Sequence, residues 1–309
     1  MAVILLALLA LALFWPAMAA NFAYEDWAWV AESDPTRGTT WSRFLTNGTY
    51  WLQGGDPLMI HLGNLALHLA CAALVLSIAR RWSRGAGLVA YAALLLSPLA
   101  SFAVNYASAR SELLIALFAL LAVRFSSRWV WAACAVGLAL TKDAALPMAG
   151  VLVLGLVAQT GLAGLVLVLG ALLAIPRLPV ITMFGLASLR DTLGLLGTLA
   201  AGALVPAGLS FDPDPAGLSA WWAVAGVLVL AILAREALRW RLLPWLLLAQ
   251  WLPRVVIGSG DTPQPHHAYL LCAGLALGAG YLWHLLEDDC AEVPDRGAAG
   301  AGAGAAWAL

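Results

Sequence analysis

The 309-residue chain is 63% hydrophobic and 11% charged, with a net charge of −1 and a mean hydropathy of +0.89. Soluble domains average roughly 45–50% apolar and about 25% charged residues, so the composition predicts an all-α polytopic transmembrane protein. Nucleic-acid binding is excluded, because the arginines fall in short clusters between apolar runs and make no basic face.

Apolar runs of about 17–25 residues read as membrane spans. They predict helices near 2–20, 58–79, 86–105, 111–125, 128–141, 145–160, 162–178, 218–234, 242–257 and 268–286, about ten in all. The first run ends Ala17-Met18-Ala19-Ala20, which mimics a signal-peptidase site, but it lacks the basic leading region of a signal peptide. It is therefore expected to remain as the first helix. The first long polar stretch, 21–57, follows it and carries Tyr24-Glu25-Asp26 at its head. Arg80, Arg81 and Arg84 share one tight turn, Arg124 and Arg128 a second, and Arg235, Arg239 and Arg241 a third. Short Arg-rich loops are cytoplasmic. All three clusters fall on one side if the N-terminus is inside, which puts 21–57 and 179–217 outside and both termini in the cytoplasm. The apolar run within 185–207 would invert the third cluster if it crossed, so it is expected to be an interfacial or re-entrant helix. Residues 1–287 form the transmembrane domain, and 288–309 are expected to be a disordered Gly/Ala tail. Cys71, Cys134, Cys272 and Cys290 show no metal or CxxC spacing and read as buried hydrophobes or a free tail thiol.

Several constellations carry chemistry. Glu25 and Asp26 sit where the first helix emerges into water, a place where a carboxylate stays ionised beside a membrane cavity; the same pair also fits an ordinary solvated loop. His61, Asn64, His68 and Cys71 follow at spacings of three, four and three, one face of a helix. Lipid cannot satisfy such a stripe, so it faces the bundle interior, either as a cavity wall or as helix–helix glue. Tyr106 and Arg110 are four apart, with Glu112 next to them. An arginine at the outer mouth suits a phosphate; it also suits snorkelling to headgroups or an internal pair with Glu112. Lys142, beside Asp143, fits a phosphate or a loop ion pair. The D-x-D spacing of Asp212 and Asp214 offers hard oxygen ligands, but the flanking prolines suit a rigid turn equally, and no metal cofactor is expected. His266 and His267 are adjacent, a spacing that rarely chelates one ion unaided.

The order of these segments carries a resemblance. Phe22-Ala23-Tyr24-Glu25-Asp26 is followed by Gly55-Asp56-Pro57 and the 61–69 stretch, then Ser97-Pro98 and 106–114. Thr141-Lys142-Asp143, Leu146-Pro147, the 205–212 stretch and Tyr269-Leu270 complete the series. Together they resemble the membrane part of the transmembrane-and-tetratricopeptide O-mannosyltransferase family and its bacterial relatives, within the C-type (GT-C) glycosyltransferase superfamily. The likeness runs over about residues 21–280.

The resemblance implies an inverting glycosyltransferase of the bacterial inner membrane, acting on its extracytoplasmic face. It implies a polyprenyl-phosphate sugar donor, with a mannose-like hexose, and a protein or glycan acceptor hydroxyl. Asp26 matches the catalytic base with Glu25 as alternate, and Arg110 and Lys142 match basic positions suited to the donor phosphate. His61, Asn64, Tyr106, Glu112, His266 and His267 would line the cavity. The chain departs from the family in having Glu25-Asp26 in place of two aspartates, a short stretch between 36 and 54, Ala268 where an arginine precedes the tyrosine, and no tetratricopeptide array. Competing readings are a lipid-linked-sugar flippase and a non-catalytic assembly subunit.

Overall fold

The computed structural model describes residues 1–18, 43–142, 145–160, 242–253 and 268–291. Among these residues the structure is helical, with no strand: α1 (Ala2–Met18), α2 (Phe44–Leu52), α3 (Pro57–Ala79), α4 (Arg84–Leu95), α5 (Pro98–Asn105), a 3-10 turn (Ala107–Ala109), α6 (Arg110–Arg124), α7 (Arg128–Ala139), α8 (Leu146–Thr160), α9 (Leu242–Pro253) and α10 (Tyr269–Ala291). The predicted spans 162–178 and 218–234, the interfacial helix at 185–207, the third Arg cluster and the tail beyond 291 lie outside the described residues.

Helix α3 is the axis of the bundle. It packs against α1, α4, α5, α6 and α10. Its start is written locally: Gly54 and Gly55 turn the chain with φ of 66° and 71°, a region closed to most side chains. Asp56 then caps the helix, its side chain accepting from the Leu58 amide at 3.0 Å, and Pro57 takes the first position. On the far side, α10 lies close against α4. A Cβ at Gly280 would stand 2.7 Å from the Ala86 carbonyl oxygen and 2.9 Å from the Ala90 methyl, so this pair uses a small-residue contact to bring backbones together. Aromatic rings fill the opposite kind of gap: Phe118 of α6 covers Gly137 of α7, and Trp131 of α7 covers Gly155 of α8.

The predicted helix at 86–105 is two helices. α4 and α5 meet at an angle of 54°. The cause is Ser97-Pro98: the residue before proline is driven to extended backbone, and Ser97 takes ψ of 119° while its hydroxyl caps α5 by accepting from the Ala100 amide at 3.2 Å.

Crossing a hydrocarbon core of about 30 Å takes about 20 helical residues. α3, with 23 residues, and the 20-residue stretch Tyr269–Asp288 of α10 meet that requirement, and the bent α4–α5 pair makes a third span if it crosses as one unit. The helices found where spans were expected at 2–20, 111–125, 128–141 and 145–160 have 17, 15, 12 and 15 residues. The first sits at the lower edge of the range of about 17–25 residues and the other three fall short of it, so ten full-length spans are not what the described residues present. The first two Arg-rich turns do share one end of the bundle, since the Arg81 guanidinium donates to the Arg124 carbonyl at 2.8 Å.

Candidate functional site

The opposite end of the bundle holds Arg110, the first residue of α6, with only 1% of its surface exposed. Its neighbourhood is built from three segments. Asn64 of α3 gathers the carbonyls that lead into the 3-10 turn: its amide nitrogen lies 3.4, 3.2 and 3.4 Å from the Val104, Tyr106 and Ala107 carbonyl oxygens, its two N–H groups shared among them. The Tyr50 hydroxyl of α2 donates to the same Ala107 carbonyl at 2.8 Å. The other face of the Asn64 amide, its Oδ1, accepts from Arg110 Nε at 2.8 Å.

The rest of the guanidinium is held as firmly. One terminal nitrogen donates to Gln53 Oε1, just past α2, and the other donates to the Ile60 carbonyl at 2.6 Å. The charged carbon sits 4.6 Å from the centre of the Tyr50 ring, within cation–π range. Gln53 is itself fixed, donating to the Met59 carbonyl at 2.8 Å. Gly63 makes room for both: a Cβ there would stand 2.6 Å from the Gln53 amide nitrogen and 2.8 Å from an Arg110 terminal nitrogen.

Every acceptor in this cage is neutral. A buried cation is ordinarily matched by a carboxylate, and the nearest acid in sequence, Glu112, lies two residues on in the same helix, on another face. Glu112 instead pairs with Lys142 Nζ at 3.0 Å, and its second oxygen accepts from Gln250 of α9 at 3.4 Å. Arg110 therefore keeps a whole positive charge, and three of its five N–H groups are engaged. The snorkelling reading of Arg110 and the pair with Glu112 are both set aside by this arrangement. Lys142, expected to take phosphate, is committed to Glu112.

The polar stripe of α3 is buried as its spacing predicts: His61, Asn64, His68 and Cys71 are each at most 2% exposed. His68 shows the glue function in detail. The break at Ser97-Pro98 strands the Leu95 carbonyl, and His68 Nε2 lies 3.2 Å from it. A carbonyl only accepts, so Nε2 carries the proton and Nδ1 accepts from the Tyr269 hydroxyl at 2.6 Å. The Phe14 ring stacks edge-on against the same imidazole. Helices α1, α3, α4 and α10 thus meet at one satisfied histidine.

Of the predicted site residues, the structure brings Asn64, Tyr106 (through its carbonyl) and Arg110 together, and pairs Glu112 with Lys142. His61 is buried on the same helix face. Glu25, Asp26, Asp212, Asp214, His266 and His267 lie outside the described residues. Three contributors were not singled out by sequence: Tyr50, Gln53 and Gln250. Gln250 had a signal, being a lone amide inside an apolar run, which marks function or pairing in a membrane segment. Among the described residues no group of three or more His, Cys, Asp and Glu side chains is arranged to hold a metal ion. Comparison with protein-family models, curated proteins and solved structures yields no match to this chain.

Proposed function

We propose that this chain is a membrane glycosyltransferase of the C type, which moves a mannose-like hexose from a polyprenyl-phosphate carrier to an acceptor hydroxyl at the extracytoplasmic surface. The observation that carries the proposal is the Arg110 cage: a buried guanidinium positioned by Asn64, Gln53 and the Ile60 carbonyl, with no carboxylate among its partners. Such a group is pre-organised for an anion, and a phosphate matches its planar donors. Asp26 enters through the resemblance of Tyr24-Glu25-Asp26 to the acidic pair of the family.

In the reaction, the Asp26 carboxylate takes the proton of the acceptor hydroxyl. The freed oxygen attacks the anomeric carbon from the face opposite the phosphate, and the bond between that carbon and the phosphate oxygen breaks. The leaving polyprenyl phosphate carries away the electron pair and gains negative charge, which Arg110 stabilises. Inversion at the anomeric carbon follows. A flippase would need the polar stripe of α3 to open onto a path; Asn64 and His68 are instead closed by protein partners, which favours surface chemistry.

The test uses the purified chain, a polyprenyl-phosphate hexose and a hydroxyl acceptor. Asp26→Asn is expected to lower transfer at least about a hundredfold, within the usual range for a general base, with donor binding kept. Arg110→Ala is expected to lose donor binding. Transfer by Asp26→Asn at the parent rate, or full donor binding by Arg110→Ala, would remove those roles.

A further inference from the structure

The end of the bundle opposite Arg110 holds an open cavity of about 370 Å³ lined by Ala73, Leu76, Ser77, Arg80, Arg81 and Arg124. Its chemistry is one-sided. Three guanidiniums converge from the end of α3 and the end of α6. Arg124 Nε donates to the Ser77 hydroxyl at 2.6 Å, and Arg81 donates to the Arg124 carbonyl. These bonds fit ordinary cation placement at helix C-termini. They do not account for Arg80, whose guanidinium has no hydrogen bond or ion pair among the described residues. Its stem is nonetheless laid down: a Cβ at Gly87 would stand 2.5 Å from Arg80 Cγ, so the glycine lets the side chain lie against α4 at the rim. Glu287 of α10, beside the start of α4, is occupied elsewhere, accepting from the Ser83 hydroxyl and from Trp283 Nε1.

We propose that this cavity binds phosphate, in the form of the headgroup of an anionic membrane lipid. Three planar forks and one hydroxyl present donors to a single tetrahedral anion, and no carboxylate of the described chain competes for them. The wall below the arginines is apolar, formed by Leu76 and the exposed Ala73 of the membrane-length helix α3, which suits the first carbons of an acyl chain. A free phosphate would use the forks but not that wall. This site is separate from the Arg110 cage and does not depend on the glycosyltransferase reading.

The full chain, purified in detergent, is titrated with phosphatidylglycerol, with phosphatidylcholine and with inorganic phosphate, and bound lipid is counted by native mass spectrometry. Each basic residue at an anionic lipid surface is worth roughly fivefold in affinity, so Arg80→Gln should weaken phosphatidylglycerol about fivefold and Arg80→Gln with Arg81→Gln about 30-fold. Arg80→Gln touches no internal bond, so it keeps the test open if the double variant folds poorly. Phosphatidylcholine should bind weakly to all three proteins. Equal phosphatidylglycerol binding by the parent and Arg80→Gln would overturn the proposal, as would equal affinity for the two lipids. Displacement of phosphatidylglycerol by equimolar inorganic phosphate would overturn its lipid part and leave a soluble phosphate as the occupant.

Discussion

Gln53→Glu separates an arginine kept for an anion from one that merely braces the fold. The substitution is nearly isosteric and gives the Arg110 terminal nitrogen a carboxylate where it now meets the Gln53 amide oxygen. A hydrogen bond to a charged group contributes about 1.5–3 kcal/mol, against about 0.5–1.5 for a neutral one, so this contact strengthens by about 1–2 kcal/mol. The change also removes the Gln53 amide bond to the Met59 carbonyl, now 2.8 Å, at a loss of about 0.5–1.5 kcal/mol. The two effects offset, and unfolding free energy should stay within about 1 kcal/mol of the parent. Donor binding should behave differently. An arginine already neutralised gains little from a lipid phosphate, and forfeiting about 1.5–3 kcal/mol weakens binding roughly 10- to 150-fold. Equilibrium binding of a radiolabelled polyprenyl-phosphate hexose, alongside thermal unfolding of the same preparations, reads both quantities. Gln53→Met is the companion: it withdraws the acceptor without adding charge, and should retain donor binding. A Gln53→Glu protein that folds and binds donor as the parent does would show that Arg110 only holds α2 against α3 and α6.

Three further outcomes are expected. Gly63→Ala places a methyl 2.6 Å from the Gln53 amide nitrogen and 2.8 Å from Arg110; donor affinity should fall about tenfold, with a loss of about 1–3 kcal/mol typical of overpacking, both read in the same two assays. Tyr269→Phe withdraws the donor to His68 Nδ1; membrane hydrogen bonds of this kind average about 0.6 kcal/mol and reach about 1.7, so stability should fall by that order while donor binding is unchanged. Cysteine introduced at Thr39 should react with an impermeant thiol reagent in intact cells, and cysteine at the exposed Ser126 should not; reaction at Ser126 before lysis would reverse the orientation that the Arg-rich turns predict. Cys71, Cys134 and Cys272 are buried and give little background.

What was legible in the sequence was periodic or local. The spacing of His61, Asn64, His68 and Cys71 placed them on one face, and all four are buried. The start of α3 was readable from Gly54-Gly55-Asp56-Pro57, because capping depends on neighbours alone. The break inside 86–105 was written as plainly, in Ser97-Pro98, yet a hydropathy window averages across a proline and reports one span. Helix α2 was hidden for a different reason. It buries Thr46, Asn47 and Tyr50 while exposing Phe44, Trp51 and Leu52, an inverted pattern that suits an apolar surround and reads as a polar loop when water is assumed. The partners of Arg110 were the least visible, since a charged residue invites a search for the opposite charge, and its partners are two amides and a backbone carbonyl.

The placement of Arg110 sharpens this point. It is the first residue of α6, at the positive end of the helix dipole. A cation there is disfavoured by about 0.3–1 kcal/mol, and an anion is favoured by as much. Glu112, in the same first turn, suits the dipole but points to another face of the helix, where it pairs with Lys142 at 3.0 Å. A chain selected for stability alone would exchange these preferences, setting an acid at the helix start or pairing the arginine. Instead the buried guanidinium and the positive end of the helix reinforce one another at a single point, with neutral groups holding the geometry. A phosphate bound there would meet both contributions at once.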